Sequence, residues 1–372
     1  MARLGDIATY INGYAFKPSD WSDTGLHIIR IQDLTGNSYQ ANCYNGNYDS
    51  KYEVVDGDVL ISWSASLGVY VWHGETALLN QHIFKVVFNK VDVDKNFFIH
   101  QVKAILEKAS SEAHGATMKH LTKPVFDALP FYLPSIEEQK DIAEKLDKVC
   151  TLIKQRKQQL SKLDELVKSR FIEMFGDVQS NPNNYPIKNF DEISILITDG
   201  EHSTPRRTEN GIYLLSARNV LNHALQLNDV DYIDEDEYDR IARRVVPQKG
   251  DVLISCSGSI GRCCVVPEGL KFQMVRSAAL IRFNESINPV FAEWLITSDD
   301  LQQQIAQSAT QSSQANLFQG KIRKLHCYIP PINLQNEFAS FVEQTDKLKL
   351  EVKESLEKLE TLKKSLMQKY FG

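Results

Sequence analysis

The sequence predicts an α/β (α+β) fold in which two similar globular domains are joined by two long antiparallel coiled-coil helices. An internal pseudo-two-fold repeat relates the two halves of the chain. Two observations carry this prediction. The hexapeptide GDVLIS begins at Gly57 and again at Gly250, 193 residues further on. Two stretches rich in Lys, Glu, Gln and Leu follow Pro134 and Pro331 and contain no Gly or Pro before a terminal Gly.

The repeat extends through the whole chain, and such periodicity defines an architecture before any single motif does. WSASLG follows the first GDVLIS and CSGSIG follows the second. At an offset of 196 residues, ATMKHL aligns with SSQANL, LPSIEEQ with IPPINLQ, and Phe175-Gly176 with Phe371-Gly372. We therefore divide the chain into residues 1–176 and 177–372, and interpret GDVLIS as a turn and a buried strand of a shared core.

Each half begins with short β-branched and aromatic runs separated by Gly, Asn and Asp, a pattern typical of strands. The predicted strands are 26–32, 59–63 and 84–88 in the first half, and 212–217, 252–256 and 279–283 in the second. One helix is predicted within each set, near 97–109 and near 289–305. The domains then follow as 1–134 and 177–330, each ahead of a long helix at 135–176 or 331–372.

An apolar stripe with 3,4 spacing runs along each long helix, and in the first helix Arg156 and Arg170 interrupt it. At 1.5 Å per residue such a helix is roughly 60 Å long. The stripe must be buried, and the nearest partner is the helix of the other copy, although each helix folding back on its own domain is an alternative. The predicted helix-packing residues are Leu146, Val149, Ile153, Leu160, Leu163, Val167, Met174, Leu348, Val352, Leu359, Leu362 and Leu366.

Composition narrows the class of protein. Hydrophobic residues make up 42% and charged residues 24%, which is close to globular averages and excludes wholesale disorder. The first residues lack the pattern of a secretory signal, so we expect a cytoplasmic protein. The six cysteines form no C-x-x-C pair and are expected to be reduced thiols. The net charge of −6 removes the simplest argument for nucleic-acid binding.

The order of elements resembles the specificity (S) subunit of Type I restriction-modification systems. It consists of a globular domain, a P-x-x-x-x-Q segment (Pro134 with Gln139, Pro330 with Gln335), a long helix, and then the whole unit again. The resemblance covers the entire chain. It implies that 1–134 and 177–330 are target recognition domains, each reading one half of a bipartite double-stranded DNA sequence.

The resemblance also implies partners. The two helices would set the gap between half-sites and carry two methyltransferase (modification) subunits, which a restriction and motor subunit joins. It places S-adenosylmethionine, ATP, magnesium, adenine-N6 methylation and the endonuclease in those subunits. No catalytic residue, metal site or membrane contact is expected in this chain. The segments 69–82 and 262–276 share almost no sequence, and divergent loops on a common scaffold favour an asymmetric target.

Candidate DNA-contacting residues follow from residue type, because Arg and Lys read guanine, Asn and Gln read adenine, and hydroxyls and cations bind phosphates. Arg206, Arg207 and Arg262 lead the set, although each could equally be a solvated surface cation. We expect the acidic residues of 229–239 to form a solvated turn away from DNA. The full set is Lys17, Arg30, Gln32, Ser64, Gln81, His82, Lys119, Lys123, His202, Arg206, Arg207, Arg218, Asn219, Arg262, Arg276, Lys321 and Arg323.

Two other classes of protein remain as alternatives. A stand-alone DNA-modifying enzyme is disfavoured because NPNNY at 181–185 departs from the N/D-P-P-Y/F catalytic pattern at both central positions. GSIGR at 258–262 likewise lacks the spacing and lysine of a phosphate loop. The repeated carboxylates Asp58 and Asp251 are explained by the turn before a strand. A coiled-coil scaffold without DNA specificity would explain the helices but does not require two large domains with divergent polar loops.

Overall fold

The computed structural model describes residues 1–37, 42–112, 122–177, 180–309 and 316–372. The chain forms two compact units. Unit 1 consists of Met1–Lys157 and Glu354–Gly372, and unit 2 of Gln158–Lys353. Each long helix therefore contributes one segment to each unit.

The described part of unit 1 has ten strands and four α-helices ahead of the first long helix. The strands are β1 Ala2–Arg3, β2 Thr9–Asn12, β3 Leu26–Ile29, β4 Cys43–Tyr44, β5 Glu53–Val54, β6 Val59–Ser62, β7 Gly68–Val71, β8 Ala77–Leu79, β9 Ile83–Val87 and β10 Pro130–Phe131. The helices are α1 Leu4–Ile7, α2 Ile31–Leu34, α3 Lys95–Glu112, α4 Lys123–Asp127 and the long α5 Ile136–Phe175.

Two four-stranded sheets form the globular part of unit 1. One has the order β2-β9-β6-β7 and is antiparallel throughout. The other has the order β4-β3-β8-β5, with a parallel pair β3-β8. All four residues of β6, the strand within GDVLIS, are buried. The repeated hexapeptide is therefore part of the core, as the sequence indicates.

The described part of unit 2 repeats this plan with one extra two-stranded hairpin, residues 220–225. Its strands are β11 Ile187–Asn189, β12 Ser194–Asp199, β13 Ile212–Leu215, β14 Val220–Leu221, β15 Ala224–Leu225, β16 Asp231–Ile233, β17 Val252–Ser255, β18 Cys263–Val265, β19 Phe272–Met274, β20 Ala278–Phe283 and β21 His326–Tyr328. Its helices are α6 Phe190–Ile193, α7 Glu235–Ala242, α8 Pro289–Ile296, α9 Asp299–Ala309, α10 Gln319–Ile322 and the long α11 Ile332–Phe371.

The sheets of unit 2 correspond to those of unit 1. The order β12-β20-β17-β18 matches β2-β9-β6-β7, and the sheet β16-β13-β19 contains the parallel pair β13-β19 that corresponds to β3-β8. A glycine follows β2 and β12 in both copies. A Cβ on Gly13 would lie 2.0 Å from the carbonyl oxygen of Asn80, and one on Gly200 would lie 2.3 Å from that of Met274. Only glycine permits this close crossing of two chain segments.

The helix predicted at 289–305 is two helices in the structure, α8 and α9. The chain leaves the helical path at Thr297, whose hydroxyl donates to the carbonyl oxygens of Glu293 and Trp294 at 3.1 and 3.0 Å. Such local side-chain bonds compete with helix continuation. Periodicity alone did not reveal this break, because the apolar residues on both sides keep a helical spacing.

The two long helices have 40 residues each and run antiparallel within each unit. In unit 1, Arg156 Nε donates to Ser355 Oγ at 3.2 Å, and Lys157 pairs with Glu360 at 2.9 Å. In unit 2, Asp164 pairs with Lys349 at 2.9 Å and Arg170 with Glu337 at 3.1 Å. The predicted coiled-coil pairing within one chain is thereby confirmed.

Ten of the twelve predicted helix-packing residues are buried or half-buried. The prediction is wrong for Leu348 and Leu362, which are 51% and 46% exposed. The contact line of α11 instead passes through buried Thr345 and through Lys349, whose side chain is 15% exposed. A lysine can bury its aliphatic stem while its ammonium reaches a carboxylate. Lys349 therefore occupies the helix-contact position that the hydrophobic pattern assigned to Leu348.

A buried glutamine joins each long helix to its globular part. Gln335 Nε2 donates to the carbonyl oxygens of Pro330 and Ser286 at 2.8 and 3.0 Å, and its Oε1 accepts from the backbone N–H of Asn288 at 2.8 Å. In unit 1, Gln139 bonds to Pro134 and to the N–H of Asp94 in the same way, at 2.9 Å each. These contacts explain the P-x-x-x-x-Q pattern.

Replacing Gln335 with leucine is expected to lower the stability of unit 2 by about 2–3 kcal/mol, because one buried and two half-buried backbone groups would lose their partner. Gln303→Leu is the matched control, since Gln303 is exposed on α9 and should change stability by less than about 0.5 kcal/mol. Urea denaturation of both variants measures the difference. Equal losses in the two variants would contradict this role for Gln335.

Candidate functional site

The ends of several strands converge on one surface of unit 1. The backbone N–H of Tyr14, beyond β2, donates to the carbonyl of Leu79 in β8 at 2.8 Å, and the N–H of Gln81 donates back to Tyr14 at 2.8 Å. The N–H of Trp63, beyond β6, donates to the carbonyl of His82 at 3.1 Å. We call the residues at these strand ends the strand-end surface of unit 1; they are Tyr14, Lys17, Arg30, Gln32, Trp63, Gln81 and His82.

Aromatic rings lie beside the polar groups of this surface. Tyr14 is 46% exposed, and its ring centroid is 4.9 Å from Phe16 and 5.7 Å from Tyr52. The guanidinium of Arg30 lies over the ring of Trp21, 5.2 Å from its centroid. Unit 1 thus combines a few cations with exposed aromatic surface, a combination that suits apolar and stacking contacts with bases.

The equivalent strand ends of unit 2 carry arginines and carboxylates instead. Asp199, at the end of β12, accepts hydrogen bonds from His202 at 2.8 Å, from Arg244 at 2.6 Å and from Gln319. Burial opposes ionisation, but the hydrogen bonds from Gln319 and His202 and the charge of Arg244 hold the pKa of Asp199 below its ordinary value. Asp199 therefore stays ionised and connects three segments of the unit.

Two of the three arginines predicted to lead DNA contact, Arg206 and Arg207, are ion-paired on this surface. Arg206 Nη2 donates to both carboxylate oxygens of Asp234 at 3.0 and 2.8 Å, and Arg207 Nε donates to Asp231 at 2.9 Å. A hydrogen bond from the N–H of Glu237 and then the guanidinium of Arg206 lower the pKa of Asp234. The expectation that these acids form a solvated turn is wrong, because Asp231 begins β16, Asp234 precedes α7, and both pair with candidate arginines.

Arg262 and Arg276 differ from those arginines. Both side chains are exposed, and no carboxylate of the described residues lies within ion-pair distance of either guanidinium. Arg276 follows β19, where its backbone N–H donates to Glu201 at 3.0 Å, and Arg262 precedes β18. Cations without a protein partner are the groups best placed to bind phosphate oxygens.

Two of the predicted DNA-contacting residues are structural. Asn219 is fully buried, and its amide bonds to Ser216, to the carbonyl of Gln226 at 2.9 Å and to that of Asp229 at 2.8 Å. Ser64 is 5% exposed. A base or phosphate cannot reach these groups in this structure, so the prediction of a DNA contact is wrong for both.

The remaining predicted residues divide by their contacts. Lys123 pairs with Asp127 at 2.6 Å within α4. Lys321 donates to the carbonyl of Ser308, and Arg323 pairs with Asp191 and donates to the carbonyl of Ile197 at 3.1 Å. These three cations are engaged in the fold. Lys119 lies outside the described residues.

The cysteines and the helices complete the chemical inventory of the described chain. All six cysteines are free thiols, and burial raises the pKa of Cys256 to about 12. Among the described residues, no group of three or more His, Cys, Asp and Glu side chains is arranged to hold a metal ion. Within the same residues, no helix combines the length and the apolar character needed to cross a membrane.

Comparison with known proteins identifies the family of this chain. The sequence profile of the Type I restriction modification DNA specificity domain matches residues 1–162 and 189–363. The chain belongs to this family. As a member of the specificity-domain family, it carries two copies of the domain, and the duplication seen in the sequence corresponds to these two matches.

Relatives of this specificity-domain protein match along nearly its whole length. The specificity subunit of the Type I restriction enzyme EcoBI from Escherichia coli is 26% identical, over 99% of this chain and 84% of its own. That of EcoKI from E. coli K12 is 23% identical, over 100% and 88%. That of MjaVIII from Methanocaldococcus jannaschii is 20% identical, over 99% and 90%.

Solved structures share the fold of this specificity-domain protein. The S subunit of a Type I restriction-modification system from M. genitalium superposes with a TM-score of 0.62 at 14% identity, covering 100% of this chain and 95% of its own. A chain from a study of complex assembly and conformational transition of the type I R-M system gives a TM-score of 0.58 at 15% identity, covering 100% and 96%. These likenesses confirm the predicted fold class.

Proposed function

We propose that this specificity-domain protein reads a bipartite, asymmetric double-stranded DNA target, with unit 1 reading one half-site and unit 2 the other. The observation that carries the proposal is the difference between two equivalent surfaces. The strand ends of unit 1 present aromatic rings and few cations, whereas those of unit 2 present arginines. Two different surfaces on one repeated scaffold read two different sequences.

The long helices are proposed to dock two methyltransferase subunits. Both helices keep large apolar side chains exposed that their mutual packing does not use. Ile172 on α5 is 61% exposed and Leu350 on α11 is 59% exposed. Leu152, Leu166, Leu348 and Leu362 are also exposed on these helices. Exposed leucine and isoleucine on a helix favour a protein partner.

This chain is proposed to recognise DNA and to catalyse no reaction. We place S-adenosylmethionine and adenine-N6 methylation in the methyltransferase subunits, and ATP, magnesium and DNA cleavage in the restriction subunit that joins them. The complex would act in the cytoplasm. The net charge of −6 fits this division, because the partner subunits can supply phosphate contacts.

Sequencing of methylated adenines in cells that carry this chain with its methyltransferase tests the proposal. The intact chain is expected to give a split, asymmetric motif. Arg262→Ala combined with Arg276→Ala should reduce methylation at least about tenfold, through loss of contacts by unit 2. Arg3→Ala is the control, since Arg3 is an exposed cation of β1.

Two results of the sequencing experiment would contradict the proposal. A symmetric motif, or no motif with a methyltransferase that is active with another specificity subunit, would contradict the two-reader proposal. Deletion of the second half is not a clean test, because residues 354–372 belong to unit 1. Substitutions within 187–328 leave that segment intact.

A further inference from the structure

One carboxylate on the surface of unit 2 holds two arginines at once. Asp231 Oδ2 accepts from Arg207 Nε at 2.9 Å, and Asp231 Oδ1 accepts from Arg218 Nη2 at 3.0 Å. Asp231 is 33% exposed, less than Arg207 at 46% and Arg218 at 49%. The two guanidinium groups therefore cover a carboxylate that lies beneath them.

The backbone around this triad is fixed by sheet and turn contacts. Asp231 begins β16 and is in register with Leu214 of β13. Thr208, next to Arg207, donates its N–H to the carbonyl of Tyr232 at 2.9 Å. Arg218 lies in the turn Ala217–Asn219, which buried Asn219 ties to the residues preceding β16 through its bond to the carbonyl of Asp229. All three members are thus anchored on one framework.

Some guanidinium N–H groups of Arg207 and Arg218 remain available to bind DNA bases. Arg207 uses only Nε, so both of its terminal nitrogens lack a hydrogen-bond acceptor among the described residues. Arg218 uses Nη2 and leaves Nε and Nη1 in the same condition. The two terminal N–H groups of a guanidinium form the fork that reads O6 and N7 of guanine. In Arg207 the carboxylate binds Nε, on the other side of the group, and so fixes the plane of that fork. In Arg218 the carboxylate binds one terminal nitrogen, Nη2, and leaves Nη1 for a base.

We propose that Asp231 is a positioning residue for base recognition, which orients Arg207 and Arg218 toward guanines of the half-site read by unit 2. This inference rests on the proposed function. Asp231 also sets the balance between two kinds of binding. Its charge offsets part of the attraction of two arginines for phosphates, which is independent of sequence. Its hydrogen bonds pre-organise the contacts that depend on sequence.

Asp231→Asn tests the proposal in the full chain assembled with its methyltransferase subunits. The amide removes one negative charge and one of the two acceptors with little change in shape. The preference of methylation for guanine over other bases should fall by at least about tenfold at one or two positions of a single half-site. A bidentate arginine contact discriminates between bases by about tenfold to a hundredfold. Affinity for unrelated duplex DNA should rise, with a steeper dependence on salt.

Asp229→Asn is the matched control. Asp229 lies two residues away, is 78% exposed and is 3.8 Å from Arg218, too far for a hydrogen bond. It removes the same charge without the two bonds and should leave the motif unchanged. Arg207→Lys with Arg218→Lys is a second variant; it keeps the charge, loses the fork, and should relax the same guanines.

The results separate this inference from the proposed function. If the wild-type chain gives a split motif that Asp231→Asn leaves unchanged, Asp231 has no positioning role while the two-reader proposal stands. If Asp231→Asn weakens specific and unrelated DNA binding together, or if Asp229→Asn has the same effect, the residue is structural or a generic charge, and the inference is overturned. If the wild-type chain gives no split motif, the proposed function itself fails.

Discussion

Phe338→Ala is expected to lower the free energy of unfolding of unit 2 by about 3–5 kcal/mol. Phe338 is fully buried on α11, and its ring centroid lies 5.3 Å from that of Phe171 and 5.6 Å from that of Phe175, both on α5. The ring of Trp294 on α8 lies 6.1 Å away. The substitution would leave a cavity where both long helices meet the globular part of unit 2.

Phe318→Ala provides the matched control for this change. Phe318 is 59% exposed, so the same substitution should alter stability by less than about 0.5 kcal/mol. Hydrogen exchange at increasing urea concentration separates the two units and reports the opening free energy of β17 and β20. A loss below about 1 kcal/mol for Phe338→Ala would show that this packing does not hold unit 2 together.

Asp251→Ala is the second substitution with a large expected effect, a loss of about 3–5 kcal/mol. Asp251, the carboxylate of the second GDVLIS, is 2% exposed and accepts from Arg282 Nε and Nη2 at 2.7 and 2.8 Å. It also accepts from the N–H of Gln248 at 2.7 Å. Alanine would leave the guanidinium of Arg282, which is 25% exposed, without its counter-charge.

The first GDVLIS supplies an internal comparison. Asp58 pairs with Lys85 at 3.0 Å, but both side chains are about one-fifth exposed. Water can replace the lost partner there, so Asp58→Ala should cost only about 1–2 kcal/mol. Asp251→Ala with Arg282→Met should recover part of the loss. Equal losses at Asp251 and Asp58 in urea denaturation, or no recovery in the double variant, would contradict this account.

The repeat and the long helices could be predicted because their signals are local and strong. GDVLIS recurs without a change in sequence. A stretch of 40 residues rich in helix-forming residues and without Gly or Pro strongly favours a helix. The strands around Leu60, Ile254 and Leu280 were equally evident, since buried β-branched and aliphatic runs leave few alternatives. Fold class and family resemblance rested on these features.

The side-chain contacts of the candidate site were not predictable in the same way. Arg207 and Asp231 are 24 residues apart in sequence, and the backbone pairing of Thr208 with Tyr232 in β16 brings them together. Residue type marked Asn219 as a reader of adenine, but its four hydrogen-bonding positions are used by Ser216, Gln226 and Asp229. Hydrophobicity likewise placed Leu348 in the helix contact that Lys349 occupies.

The composition of unit 1 has a consequence for biosynthesis. Residues 354–372 complete its core: Phe371 lies 5.6 Å from Phe97, and Leu366, Met367 and Tyr370 pack beside it. During translation, unit 2 has all of its residues outside the ribosome before unit 1 does, although unit 1 begins first. The unit whose synthesis begins first is therefore the last to have all of its residues made. A ribosome that stops before residue 354 leaves a chain in which unit 1 is incomplete.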